Sequence, residues 1–247
     1  MPKLQKIRLD QLLVDRGLID TVSKARARVL VGDVIVLDQR VDKPGLKFLP
    51  NVDLRLRGNS HPFVSRGGVK LEHALKLWPG SIHDAICMDV GASTGGFTEV
   101  LLKHGAKKVY AIDVGYGQLA DQLRKSSRVQ NMERTHILHV KDSDLIERPA
   151  VASIDVSFIS LSKVLPHVAS LLAPCAHIYA LIKPQFEAGR EHVEKGGLVK
   201  DPQIHEMCIK NIKNSAESLG FKILGVEQSP ITGAKGNIEF LIALVRE

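Results

Sequence analysis

No run of this sequence is long and apolar enough to read as a membrane span. The nearest, Val168–Ile182, is interrupted by Pro174, Cys175 and His177. The N-terminal Met-Pro-Lys-Leu-Gln-Lys-Ile-Arg lacks the apolar centre of a secretory signal, so neither membrane insertion nor secretion is expected. Cysteine is also scarce. Cys87, Cys175 and Cys208 are dispersed, with no C-x-x-C pair and no Cys/His spacing suited to a metal. That excludes a disulfide scaffold, leaves no candidate metal ligand set, and fits a reduced, cytoplasmic protein. His136 and His139 lie three apart without further ligands, and read as surface or cofactor-edge residues.

What the chain does have is positive charge on an ordinary globular background: 44% hydrophobic residues and a formal net charge of +7. The charge is uneven. Residues 1–60 hold 12 Lys and Arg against 7 Asp, which leaves +5 in the first quarter. A compact basic module points to an acidic partner, most often nucleic acid. At 247 residues the chain can form one large domain or two smaller ones. The turn formers Gly58-Asn-Ser-His-Pro62 mark a linker at about 58–64, so the division expected is 1–60 and 63–247.

The richest stretch is Ile86-Cys-Met-Asp-Val-Gly-Ala-Ser-Thr-Gly-Gly-Phe97. It reads as a buried strand, a glycine-rich turn at Gly91, Gly95 and Gly96, and a helix that ends at Gly105. Asp113, with Val114 beside it, closes the next apolar run. That layout suits an adenosine-containing cofactor lying over the ends of a parallel sheet, with the acid on ribose hydroxyls. The fold class expected is therefore α/β and Rossmann-like. Ser93 stands where a dinucleotide loop needs glycine. The loop instead resembles the first motif of S-adenosylmethionine methyltransferases, which implies S-adenosyl-L-methionine as cofactor, held by Asp89, Gly91, Ser93, Thr94, Gly95, Gly96, Phe97, Asp113 and Val114.

Residues 6–60 read as a small α+β unit. Leu9, Leu12 and Leu13 make one helix face and Gly17 ends that helix. Ser23 starts a second helix, with Ala27, Leu30 and Val31 as its apolar face. Asp38-Gln39 is a candidate hairpin turn, and Val52, Leu54 and Leu56 alternate as in a half-exposed strand. The segment from Ser23 to Val36 resembles the core of the S4 RNA-binding domain. The likeness implies that Arg8, Lys24, Arg28 and Lys43 face RNA phosphates.

Four further segments carry chemistry-bearing residues: Ser65–Leu71, Ser153–Ser160, Ile178–Phe186 and Gly236–Ala243. Asp155 and Lys183 each sit at a strand end, on the rim where a doubly wound sheet gathers ligands. With S-R-G-G-x-K-L, D-V-G-A-S-T-G-G-F, I-D-V-S-F-I-S-L and L-I-K-P-Q-F-E-A-G-R, the chain resembles, almost end to end, the TlyA (hemolysin A) family of ribosomal RNA 2′-O-methyltransferases. The later part is similar to FtsJ-like enzymes, whose Lys-Asp-Lys-Glu tetrad falls on Lys70, Asp155, Lys183 and Glu239. The resemblance implies an rRNA (cytidine-2′-O)-methyltransferase acting on ribosomal RNA or ribosomal subunits. Lys183 would take the hydroxyl proton, Lys70 would repel charge on Lys183, and Asp155 and Glu239 would orient both lysines. Phe158 could stack the target base, though a core role is the more usual one for a strand-end Phe. Arg66 and Arg190 would contact RNA, Arg190 on a Glu187–Asp201 arm. Glu133 would reach the cofactor. In Glu133-Arg-Thr-His136 a histidine replaces the family's asparagine. The chain ends eight residues after Glu239, a short form associated with the large subunit. Two rivals remain: a membrane-lytic protein, and a noncatalytic RNA-binding assembly factor.

Overall fold

A computed structural model of the protein describes residues 6–19, 21–37, 39–56, 63–233 and 236–247. The expected linker at Gly58–Pro62 and Asp38 of the expected hairpin turn lie outside the described residues. The chain divides into two compact units, Met1–Ser60 and His61–Glu247.

The first unit contains β1 (Ile7–Arg8), α1 (Leu9–Asp15), α2 (Val22–Leu30), β2 (Val34–Val36), β3 (Gln39–Val41), β4 (Lys47–Phe48) and β5 (Leu54–Leu56). Strand β2 lies between β3 and β5, antiparallel to both, and β1 pairs with β4. Leu9, Leu12 and Leu13 are buried, as their spacing predicts. The second helix departs from expectation. It starts one residue earlier, capped by Thr21 Oγ1, which accepts from Lys24 N at 3.3 Å. Its inward face is Ala25 and Val29, four apart, while Leu30 and Val31 are 65% and 61% exposed. Small Ala25 and β-branched Val29 fill the space against α1. The Ala27-Leu30-Val31 stripe faces the other way, because residues two and five positions from Ala25 fall on the far side of the helix.

The second unit contains α3 (Gly67–Leu77), β6 (Ile86–Val90), α4 (Gly96–Lys103), β7 (Lys108–Ile112), α5 (Asp121–Arg124), β8 (Val129–Met132), β9 (Val151–Ile154), α6 (Leu161–Leu171), β10 (Ala176–Ile182), α7 (Pro184–Glu187), α8 (Pro202–Ser218), β11 (Lys222–Gln228) and β12 (Phe240–Arg246). Seven strands form one sheet in the order β11-β12-β10-β9-β6-β7-β8. All are parallel except β12, which runs antiparallel to both β10 and β11. The architecture is α/β, with the sheet covered on both faces. Met88 and Val90 of β6 pack with α6 and α8, while Cys87 packs with α3 and α4, the alternation a pleated strand imposes. From β6 the chain winds outward to β7 and β8, then returns to β9 and β10. The carboxyl ends of β6 and β9 therefore flank the point where the winding reverses, where such sheets open a crevice.

Candidate active site

The crevice is built first by the loop after β6. Gly91 has φ +85°, and a Cβ there would stand 2.4 Å from the carbonyl oxygen of Asp155. Only glycine lets the β6 and β9 loops touch at this point. A Cβ on Gly96 would meet Ser65 Oγ at 2.3 Å and Gly68 N at 2.8 Å, so the start of α4 lies directly against the segment leading into α3. Ser93 takes φ +48° and donates its backbone N–H to Asp113 Oδ2 at 2.8 Å. Asp113 Oδ1 accepts from Gly115 N at 2.6 Å. One carboxylate thus ties the glycine loop to the loop after β7.

These loops enclose a cavity of about 310 Å³, walled by Gly91, Ser93, Asp113, Val114, His136, Asp155 and Phe158. A second, of about 180 Å³, shares Gly91, Ser93 and Asp155, and adds Arg66, Lys70, Thr94, Gly96 and Phe97. Three residues expected at the cofactor lie off these walls. Gly95 faces Leu119 and Leu123. Asp89 is fully buried, accepting from Thr98 Oγ1 at 2.6 Å and Ser153 Oγ at 2.9 Å, and burial pushes its carboxyl up to about 6. Glu133 turns toward Asn131, whose side-chain hydrogen bond holds its carboxyl below the usual value. The chain passes through left-handed Arg134 (φ +53°), and Thr135 and His136 then face the larger cavity. Gln118, Thr135 and Ile137 line that cavity too, and no sequence pattern singled them out. His136 also caps the following turn, its Nδ1 accepting from Leu138 N at 3.2 Å.

On the same rim, two ion pairs gather residues from four elements. Asp155 follows β9 and Lys183 follows β10, with Lys183 Nζ 2.6 Å from Asp155 Oδ1. Lys183 Nζ also donates to Ser157 Oγ at 3.1 Å, a contact the sequence did not suggest. Glu239 precedes β12, and because Phe240 pairs with Ile182 in an antiparallel register, it arrives at the carboxyl end of β10. Lys70 of α3 meets Glu239 Oε2 at 2.5 Å, and Gln185 Nε2 lies 3.5 Å from the other oxygen. Lys70, Lys183 and Glu239 are all buried. Each lysine therefore has a carboxylate of its own. The positive charge of Lys70 is countered locally by Glu239, so direct repulsion of Lys183 is not its main electrostatic contact.

Phe158 sits at the mouth with φ +66° and is 92% exposed, its ring 5.1 Å from that of Phe186. It is no core residue, since the left-handed turn after β9 points it outward. Arg66 and Arg190 are exposed. In the first unit Arg8, Lys24 and Lys43 are exposed, whereas Arg28 pairs with Asp33 at 3.1 Å. No helix of the described residues is long and apolar enough to cross a membrane.

Residues 63–246 match the FtsJ-like methyltransferase family. The chain is 48% identical over 241 residues to "Putative rRNA methyltransferase YqxC" of Bacillus subtilis, covering 97% of this chain and 86% of that one. It is 39% identical over 241 residues to the 16S/23S rRNA (cytidine-2′-O)-methyltransferase TlyA of Mycobacterium tuberculosis, covering 97% and 90%. A solved structure called "Putative hemolysin from Streptococcus thermophilus" is 44% identical, with a TM-score of 0.76 over 98% of this chain and 89% of that one.

Proposed function

Because this chain belongs to the FtsJ-like methyltransferase family, we propose that it methylates the 2′-hydroxyl of a cytidine ribose in ribosomal RNA, using S-adenosyl-L-methionine. The observation that carries the reading is the Lys183–Asp155 pair, 2.6 Å apart, of which Asp155 stands on the wall shared by the two cavities of the glycine loop. The rRNA substrate and the cytidine come from the names of the relatives.

The residues present fit the cofactor. Gly91 and Ser93 give a wall without bulk, Asp113 offers remaining lone pairs to ribose hydroxyls, and Ile112, Val114 and Ile137 supply apolar surface for a base. When bound, the cofactor supplies a methyl group on a positively charged sulfur. The chain's part is to remove a proton from a poor nucleophile and to aim it. A neutral Lys183 amine has two N–H donors and one lone pair. Ser157 takes one donor at 3.1 Å, and a small turn of the amine would give the other to Asp155 Oδ1, 2.6 Å away, leaving the lone pair for the incoming hydroxyl. General-base help of this kind contributes about 10²–10⁴-fold. Glu239, held by Lys70 and Gln185, orients the second lysine toward the smaller cavity, where with Arg66 it is placed to meet an RNA phosphate. Phe158 offers its exposed face to the target base, as aromatic side chains commonly do with splayed RNA bases. Arg190 adds a further cation beyond the rim.

The test is to incubate each ribosomal subunit and its naked RNA with labelled S-adenosyl-L-methionine and map the methyl group. Label on a cytidine 2′-oxygen is expected, with Lys183→Met reducing the rate by about 10²-fold or more. Label on a base, no label at all, or near-normal turnover by Lys183→Met refutes the corresponding part of the reading. Leakage of liposomes by the purified protein would favour the lytic alternative.

A further inference from the structure

The first unit holds a buried charge that the proposed reaction does not use. Asp10 opens α1 with a side chain only 1% exposed, and it is approached from two elements. Arg8 grips it with two hydrogen bonds, Nε to Oδ1 at 3.0 Å and Nη2 to Oδ2 at 2.8 Å. Arg26, from α2, donates Nε to Oδ2 at 2.9 Å. The Arg8 contact, with help from Arg26, holds the carboxyl down at about 2, so it remains an anion at neutral pH.

One carboxylate therefore binds two guanidinium groups and leaves a net charge of +1 at a fixed point. Three of the six guanidinium nitrogens are spent on Asp10. Among the described residues, Arg8 Nη1 and both terminal nitrogens of Arg26 meet no protein acceptor. The two side chains are 47% and 58% exposed, so those donors are open to a ligand. Gly45 lies against Arg8, where a Cβ would come within 3.4 Å of Nη1, and its turn also carries exposed Lys43. Arg28, which the likeness to the S4 domain assigned to RNA phosphates, instead pairs with Asp33 at 3.1 Å.

We propose that Arg8 and Arg26, organised by Asp10, form a two-arginine clamp for a phosphodiester group of RNA. The inference rests on the reading of rRNA as substrate. A guanidinium matches phosphate with paired donors. Here much of the ordering cost of two long side chains is met in advance by the buried carboxylate. Arg26, which no motif marked, is thereby assigned to the RNA-binding surface, and Asp10 is its positioning residue.

The experiment measures binding of the full chain to large- and small-subunit rRNA transcripts by filter retention across a KCl series. Arg26→Gln is compared with Lys222→Gln, which removes one exposed charge from the second unit. Each phosphate contact contributes about 0.7–0.9 to the slope of log K against log salt. Arg26→Gln is expected to lower affinity about tenfold at low salt and to flatten the slope by about one contact. Arg26→Lys keeps the charge without the fork, and is expected to restore the slope but not the full affinity. An Arg26→Gln protein that binds as Lys222→Gln does, in affinity and slope, overturns the clamp. So does equal competition by inorganic phosphate at matched ionic strength, which would mark a free-anion site. If wild-type protein methylates rRNA yet Arg26→Gln has no effect, only the clamp fails. If wild-type protein neither binds nor methylates rRNA, the substrate reading fails with it.

Discussion

Asp89 gives the sharpest quantitative prediction. Its carboxyl is fully buried between Thr98 and Ser153, and burial lifts it to about 6 from its ordinary value of 3.8. The folded state thus holds this proton more tightly than the unfolded chain. Stability from this group is fully present below pH 3.8, and is lost as pH rises through about 6. The lift amounts to about 3 kcal/mol, and about 2 kcal/mol of it falls between about pH 4.5 and 7.5. Asp89→Asn has no such proton to lose, and the Thr98 and Ser153 hydroxyls can each turn to donate or accept. The variant should therefore gain about 2 kcal/mol on wild type between those two pH values. The assay is urea unfolding followed by tryptophan fluorescence. Trp78 is the chain's single tryptophan and lies in the second unit, so the signal reports the relevant fold alone. Parallel stability curves for the two proteins across that range would refute the reasoning, and would mean that Asp89 is ionised at little cost.

Three further outcomes follow from the geometry. Gly91→Ala forces a Cβ into the Asp155 carbonyl and a side chain into the left-handed region. It should destabilise the second unit by about 2–5 kcal/mol in the same urea assay and displace Asp155 enough to slow methyl transfer. Asp113→Asn turns one of two acceptors into a donor facing a backbone N–H, of Ser93 or Gly115. Cofactor affinity by equilibrium dialysis should fall about tenfold, about 1.4 kcal/mol. Asp10 is the opposite case to Asp89. Its depressed carboxyl lends stability above its unfolded value of 3.8, which is lost as pH falls toward about 2. Asp10→Asn should cost the first unit about 1 kcal/mol at neutral pH, the half-exposed arginines being screened by water, and hydrogen exchange of the α1 amides would read it.

The parts of this molecule legible in its sequence are those governed by neighbours along the chain. Strand, glycine turn and helix from Ile86 to Lys103 are local, and so is the period that buries Leu9, Leu12 and Leu13. The chemistry-bearing residues at strand ends could also be named, because a parallel sheet presents its loops on one rim. What escaped depends on contacts between distant segments. Which face of α2 is inward is decided by α1, not by the count of apolar residues. Gly95 looks like its neighbours in sequence, but serves the packing of Leu119 and Leu123. Asp89 sits in a cofactor-like motif yet spends both oxygens on Thr98 and Ser153. Gln118 carries no periodicity or motif, and Ser157 and Arg26 lie within matched segments that assign them no role. Each was found only once a partner from elsewhere in the fold stood beside it.

The antiparallel strand β12 has a consequence for how the protein comes into being. Lys70 and Glu239 touch across 169 positions of chain, and among the described residues β12 alone pairs β11 with the rest of the sheet. On a ribosome, the glycine loop and the Asp155–Lys183 pair emerge long before Glu239. Through that interval Lys70 lacks its counter-ion and β11 has no strand to join. The position of β12 between β10 and β11 thus closes the sheet and completes the second ion pair together. A chain that lacks β12 would keep the glycine loop but leave Lys70 without Glu239 beside it.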